Sequence, residues 1–255
     1  IYDKFLRDGF IIEKTKNFSK LNLIQNFIVE QTSKLLTREI NQNNIDWLNN
    51  IHNFVSKEKL NQFRLDLINQ MNDHETFRKY YYNISKEFLD IIVGNELAMQ
   101  KRVNLSIQLP EDDSSLLPVH ADTWSGDSPF EAVVWIPLVD CFKTKTMYIL
   151  PPDRAKQLNK NFKNISNHGK NNLFDYIKND IIWLELNYGE ILIFDQSLPH
   201  GNIVNQELET RWSMNCRFKG IFTPYSDKKL GEFFEPITLK PLSKLGMNYK
   251  LPSLK

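Results

Sequence analysis

The stretch Arg211-Trp212-Ser213-Met214-Asn215-Cys216-Arg217-Phe218 reads as a β-strand with two different faces. Side chains of a strand alternate sides. Arg211, Ser213, Asn215 and Arg217 therefore share one face, and Trp212, Met214, Cys216 and Phe218 share the other. A face of two arginines and two hydrogen-bonding groups is ordinarily solvated. Opposed to so apolar a face, it can equally line a polar cavity inside a barrel. The same alternation runs through residues 102–108, where Arg102, Asn104, Ser106 and Gln108 alternate with Val103, Leu105 and Ile107. Residues 132–136, 147–150 and 189–195 are further short apolar runs bounded by turn residues. Several short strands separated by turns predict a sandwich or jelly roll.

Upstream of residue 101 the apolar spacing is helical. Leu60, Phe63, Leu67, Ile68 and Met71 keep it with one interruption, Arg64, and Phe77, Tyr80, Tyr81, Ile84, Phe88 and Ile91 keep it without any. Gly94 is the expected stop signal of the second helix. An earlier helix is expected from near Ser19, burying Ile24, Phe27, Ile28 and Leu35. These stripes read as core packing. The pattern predicts a single domain over 1–255, with a mainly helical scaffold over 1–100, a β core over 101–225 and a tail over 226–255 along the outside. Residues 153–180, rich in Lys and Asn and carrying His168-Gly169, break the strand rhythm. They are expected to be a partly helical insertion or a lid.

Composition narrows the function classes. A 255-residue chain that is 41% hydrophobic and 25% charged has the make-up of an ordinary soluble globular protein. A net charge of +1 with interspersed signs gives no electrostatic case for nucleic acid or an anionic membrane. Cys141 and Cys216 cannot form a disulfide framework. No apolar run approaches a bilayer's thickness, and Ile1-Tyr2-Asp3-Lys4 does not read as a signal peptide. A reduced, cytoplasmic setting and a small-molecule substrate are expected, with the oligomeric state left open.

The chemistry centres on His120-Ala121-Asp122. On a strand, residues two apart point the same way, so His120 and Asp122 can reach one metal if this segment is a strand. His200, within Leu198-Pro199-His200-Gly201-Asn202, is the best third ligand. Two histidines and a carboxylate with open positions suit a non-haem Fe(II) centre. His52, His74 and His168 lack such a context and default to surface or packing roles.

His120-Ala121-Asp122, His200 and Arg211-Trp212-Ser213 resemble the HxD…H…RxS signature of the Fe(II)/2-oxoglutarate-dependent dioxygenases. The spacings fit: His200 lies 78 positions after Asp122, and Arg211 follows 11 later. The resemblance covers roughly residues 101–225 and implies a double-stranded β-helix, a cupin-like jelly roll. The contexts of His120 and His200 are most similar to the phytanoyl-hydroxylase-like branch, in particular to bacterial members of carbohydrate and aminoglycoside biosynthesis clusters. It implies that His120, Asp122 and His200 hold Fe(II), that 2-oxoglutarate takes two further positions, and that dioxygen takes the last. Arg211 offers the distal carboxylate a planar, permanently charged fork, and Ser213 can add a hydrogen bond. Thr146 and Asn104 are candidate helpers, and Arg217 is either a second site cation or a structural ion-pair partner. Trp124, Arg102 and Gln108 are candidate substrate contacts, and Trp135 either faces the substrate or packs in the core. The halogenases of this superfamily have a small residue in place of the carboxylate ligand, so Asp122 points to oxygen insertion or desaturation. A sugar or nucleotide-linked sugar is the expected substrate class. A non-redox cupin-type isomerase, a metal-binding sensor and a zinc hydrolase are the alternatives, although the last gives no reason for Arg211-Trp212-Ser213.

Overall fold

The computed structural model describes residues 1–166 and 170–252, so His168 lies outside the described residues. Helices α1 (Tyr2–Asp8), α2 (Phe18–Leu36), α3 (Asn44–Asn49), α4 (Lys57–Asp73) and α5 (Phe77–Ile92) come first, with strand β1 (Phe10–Lys14) between the first two. Strands β2 (Leu97–Gln100), β3 (Asn104–Gln108), β4 (Glu131–Pro137) and β5 (Met147–Ile149) lead to helices α6 (Pro152–Ser166) and α7 (Lys170–Ile177). Strands β6 (Ile182–Leu184), β7 (Glu190–Asp195), β8 (His200–Gly201), β9 (Arg211–Gly220) and β10 (Phe234–Thr238) follow, and α8 (Pro241–Met247) comes last.

The strands form two antiparallel sheets. The larger has the order β1-β7-β4-β9-β2-β10, and β3 pairs with the other half of the β9 edge that β2 occupies. The smaller has the order β6-β5-β8. Together they make the jelly-roll core that the strand pattern predicts. All seven residues of β4 are buried, because the strand lies between β7 and β9 in the middle of the larger sheet.

The apolar face of β9 packs on the helical layer. The Trp212 ring meets Phe63 of α4 edge-on at 6.5 Å, and Phe218 lies parallel to Tyr81 of α5 at 6.5 Å. Three buried polar groups join the layers: Trp212 Nε1 donates to the Leu48 carbonyl at 2.8 Å, Tyr81 Oη to Val134 at 2.7 Å, and Gln25 Nε2 to Leu138 at 2.7 Å. Helices and sheet share one buried hydrophobic cluster.

Differences from expectation have local causes. The α2 stripe runs through Leu21, Ile24, Gln25, Ile28, Val29 and Thr32, and Leu35 is exposed. Polar residues can occupy that stripe because Gln25 reaches Leu138 and Thr32 Oγ1 accepts from Trp47 Nε1 at 2.7 Å. Ile91, at the end of the α5 stripe, is exposed as well. Helix α5 ends at Ile92, and Gly94, at φ +130°, donates its N–H back to Leu89. The larger sheet also takes strands from outside residues 101–225: β1, β2 and β10. Strands β1 and β10 are edge strands whose short patterns give no clear alternation, and Pro236 in β10 is a residue that edges tolerate. The tail is thus partly sheet. Residues 153–177 lie in α6 and α7 apart from 167–169, which are outside the described residues, and 178–180 form a turn. Among the described residues, no helix is long and apolar enough to cross a membrane.

Tyr81→Phe removes a buried hydroxyl that ties α5 to β4, and it is expected to cost about 1–2 kcal/mol. In urea unfolding the midpoint falls while the slope stays constant. Ile91→Ser, on the exposed side of the same helix, is expected to change stability by under about 0.5 kcal/mol.

Candidate active site

His120 and His200 are joined through the main chain. His120 N donates to His200 O at 3.0 Å, and His200 N donates to His120 O at 2.8 Å, a two-residue antiparallel bridge. Strand β8, which carries His200, is itself paired with β5. Gly201 allows the close approach: a Cβ there would meet the Tyr148 hydroxyl at 2.6 Å and the Leu117 carbonyl at 2.7 Å. The imidazole centroids lie 4.3 Å apart.

Each imidazole is oriented by its own backbone. His120 Nδ1 lies 2.7 Å from the Pro118 carbonyl, and His200 Nδ1 lies 2.8 Å from that of Leu198. A carbonyl only accepts, so both Nδ1 atoms carry the hydrogen and both Nε2 lone pairs are free for a metal. Burial, with His120 alongside, pushes the His200 pKa down to about 4, so its imidazole is neutral at pH 7.

Asp122 arrives differently from the sequence expectation. It opens a 3-10 turn, Asp122–Ser125, and does not share a strand with His120. Its Oδ1 still comes within 3.6 Å of His120 Nε2. The ligating atoms of His120, Asp122 and His200 all lie within 4.8 Å of one another. Two imidazoles and a carboxylate are a donor set for a divalent transition metal.

The two arginines of β9 have different surroundings. Arg217 Nη2 donates to Asp122 Oδ2 at 2.7 Å and its Nε donates to Gln196 Oε1 at 3.0 Å. Arg211 is buried and has no carboxylate partner among the described residues. It donates from Nη1 to the Thr146 carbonyl at 3.3 Å and from Nη2 to Ser106 Oγ at 3.0 Å, and its Nε has no partner. Ser213 Oγ is also buried without a partner among the described residues. Burial pushes the Arg211 guanidinium down to about 10, which leaves it charged at pH 7. A buried, uncompensated cation is costly. An anion with oxygens for the guanidinium and Ser213 would answer both groups, so 2-oxoglutarate fits the residues present.

One cavity of about 250 Å³ is lined by the three candidate ligands and both arginines, while Ser213 is fully buried and is not among its lining residues. Asn104 and Trp135 also line it, as do Ser106, Asn202 and Asn215. Asn104 Nδ2 donates to Asn215 Oδ1 at 3.0 Å. Thr146 turns its hydroxyl to the Leu184 carbonyl and offers Arg211 its main chain instead. Gln108 is buried outside the cavity wall, donating to Ile203 O at 2.6 Å. Arg102 precedes β3 and pairs at the surface with Asn69 at 2.6 Å, because the alternation of β3 does not extend back to it. Trp124 rides the 3-10 turn away from the cavity and packs on Phe162 of α6 at 4.7 Å. Sequence reasoning did not single out Ser106, Asn202 or Gln196. Ser106 had a signal in the polar face of β3, and Asn202 adjoins His200-Gly201, but nothing marked Gln196.

Comparison with solved structures gives the same architecture. The chain is similar to a structure described as "Non-heme monooxygenase, ThoJ-Ni complex", at 14% identity and TM-score 0.52, over 95% of this chain and 85% of that one. It is also similar to EctD from S. alaskensis solved with 2-oxoglutarate and 5-hydroxyectoine, at 12% identity and TM-score 0.56, over 88% and 76%. At such identities the likeness is one of fold. No protein-family model matches the sequence, and no curated protein does.

Mn(II) at a hundredfold above its Kd is expected to stabilise the protein by about 2.7 kcal/mol. At roughly 2–4 °C per kcal/mol for a chain of this size, that corresponds to a Tm rise of about 5–10 °C. Differential scanning calorimetry of Asp122→Ala and His200→Ala should show no such rise. A full rise in either variant would remove that residue from the metal site.

Proposed function

We propose that this chain is an Fe(II)- and 2-oxoglutarate-dependent oxygenase acting on a small polar molecule. The observation that carries the reading is Arg211: a buried guanidinium without an acid partner among the described residues, in the same cavity as two metal-ready imidazoles and a carboxylate. His120, Asp122 and His200 would hold the iron. Arg211 and Ser213 would hold the far carboxylate of 2-oxoglutarate, with Ser106 and the Thr146 carbonyl orienting the guanidinium. Bound iron(II), with 2-oxoglutarate and dioxygen, supplies an oxidant for an unactivated C–H bond and releases succinate and carbon dioxide. The protein's own part is to orient these groups and to exclude water. The structure of EctD with 2-oxoglutarate supports the reading by its shared fold. A zinc hydrolase would want a general base beside the metal, whereas Asp122 is the one carboxylate among the cavity-lining residues.

The substrate follows from what the wall offers once both arginines have their acids. Asn104 and Asn215, bonded to each other, present amides, Asn202 is committed to the main chain of Leu117 and Ser115, and Trp135 presents an indole. These suit an uncharged polar molecule such as a sugar, and a nucleotide-linked sugar would have to keep its phosphates outside. We assign the chain as one oxygenase domain over residues 1–255, working in a reducing compartment such as the cytoplasm. Cys141 and Cys216 are buried, and burial pushes both thiols up to about 12, so they persist as inert thiols.

Anaerobic addition of Fe(II) and 2-oxoglutarate should produce a weak visible charge-transfer band that His200→Ala abolishes. Arg211→Lys should keep the iron but weaken 2-oxoglutarate binding about ten- to a hundredfold, since a charge-assisted fork contributes about 1.5–3 kcal/mol. A large effect of Arg217→Lys on 2-oxoglutarate, with none from Arg211→Lys, would exchange the two assignments.

A substrate panel read by succinate release and mass gain should favour sugar derivatives over acyl-CoA and amino acids. With Asp122 in place, the product should gain oxygen or lose two hydrogens. Chlorinated product from chloride buffer would overturn that outcome.

A further inference from the structure

We propose that Arg217 is a positioning residue that holds Asp122 as a one-oxygen metal ligand, with Oδ1 forward. The inference rests on the metal-site reading above. Asp122 is gripped at two points. Its main-chain N–H donates to the Gln196 carbonyl at 3.0 Å, and its Oδ2 accepts from Arg217 Nη2 at 2.7 Å. Gln196 serves both grips, because its side-chain oxygen accepts from Arg217 Nε at 3.0 Å. Gln196 is itself fixed: its Nε2 donates to the Ser128 carbonyl and to Glu131 Oε2, both at 2.9 Å, and the residue is fully buried.

The guanidinium is backed by a second ion pair. Asp127 Oδ2 lies 3.4 Å from Arg217 Nε and takes Lys228 Nζ at 2.5 Å. Lys228 belongs to the segment after β9, which straps the 122–128 loop at two more points. Ser128 Oγ donates to Pro224 O at 2.7 Å, and Asp227 N donates to Gly126 O at 3.3 Å. The strap passes so close that a Cβ at Gly126, where φ is +91°, would meet Asp227 Oδ2 at 2.1 Å. The loop that carries Asp122 is thereby tied to the chain's last quarter.

Ion pairs this buried are a poor source of stability compared with apolar packing. Their use here is directional. A carboxylate at the head of a short turn can rotate and offer both oxygens to a metal. The second oxygen would then occupy a position that a chelating co-substrate or dioxygen requires. With Oδ2 committed to Arg217, only Oδ1 faces the imidazoles, 3.6 Å from His120 Nε2.

The guanidinium acts on the metal in two opposed ways, and this makes the idea testable. Its positive charge alone repels a cation, so a purely electrostatic role means that deleting it tightens metal binding. A positioning role means that deleting it weakens binding, and that Arg217→Lys, which keeps the charge but lacks the fork, weakens it as well.

Mn(II) binding would be followed by the EPR signal of the free ion in the full-length wild type, Arg217→Met, Arg217→Lys and Lys228→Met. Each protein would first be checked for cooperative thermal unfolding without metal. Binding about ten- to a hundredfold weaker is expected in both Arg217 variants, with a smaller loss in Lys228→Met. The visible d–d spectrum of the Co(II)-loaded protein should change in Arg217→Lys at saturating metal, because Oδ2 becomes free to coordinate. Wild-type or tighter Mn(II) binding in Arg217→Met would overturn the proposal, as would an unchanged Co(II) spectrum in Arg217→Lys. If Arg217→Met does not fold, Arg217→Lys decides by both measurements. A wild-type protein that binds neither Mn(II) nor Fe(II) would overturn the metal-site reading itself, whereas normal wild-type binding with unaffected variants overturns this inference alone.

Discussion

Two main-chain hydrogen bonds between His120 and His200 set the geometry on which the candidate site depends. They fix the imidazoles side by side through backbone rather than through side-chain packing. Strand β8 is held by β5, so the smaller sheet decides where His200 stands, and the bridge then decides where His120 stands. The carbonyls of Pro118 and Leu198, each two residues before its histidine, turn the rings and settle the tautomer. Asp122 belongs to the other sheet's side. Its N–H is held by Gln196, the residue directly after β7. The three donors therefore meet where the ends of the two sheets are tied together.

Strand β9 distributes charge along the same cavity. Its polar face carries Arg217 toward Asp122 and Arg211 toward Ser106 and Thr146. Arg217 faces acids, and the surrounding Asp127–Lys228 pair brings the local count to two carboxylates and two cations. Among the described residues Arg211 has only neutral acceptors, which take a hydrogen from each Nη, leave Nε unpartnered and do not neutralise the charge. Hydrogen bonds to neutral partners do not offset the desolvation of a cation. That asymmetry separates a cation serving the protein from one available to a ligand.

The sequence made some of this legible and concealed the rest for physical reasons. The two faces of β9 and the apolar runs of β4, β5 and β7 were readable because alternation is a local property. The pairing of His120 with Asp122 was readable as proximity but not as a strand. Two residues apart is close enough for convergence whether the backbone is extended or opens a 3-10 turn. Strands β1 and β10 join the sheet from distant parts of the chain through main-chain bonds, which leave little mark on side-chain pattern. Trp124 looked like a cavity residue because it follows the His-Asp pair closely, and Arg102 because it extends the alternation of residues 104–108. The turn after Asp122 and the break before β3 send them elsewhere. Gln196 could not be found in advance, since its role comes from a buried main-chain carbonyl and an amide used at both ends.

The helical layer bears on the chemistry through the opposite face of the same strand. Arg211, Asn215 and Arg217 line the cavity from β9, while Trp212 and Phe218 between and beyond them are anchored on α4 and α5. An arginine can be held uncompensated only where its backbone cannot swing it out to water. Trp212 meets this condition directly, because its ring is fully buried, its Nε1 is bonded to Leu48, and its Cα is next to that of Arg211. The apolar side of β9 thus fixes the position of the polar side. A loosened helical layer would then reach the cavity first as a misplaced cation, before the sheet itself came apart.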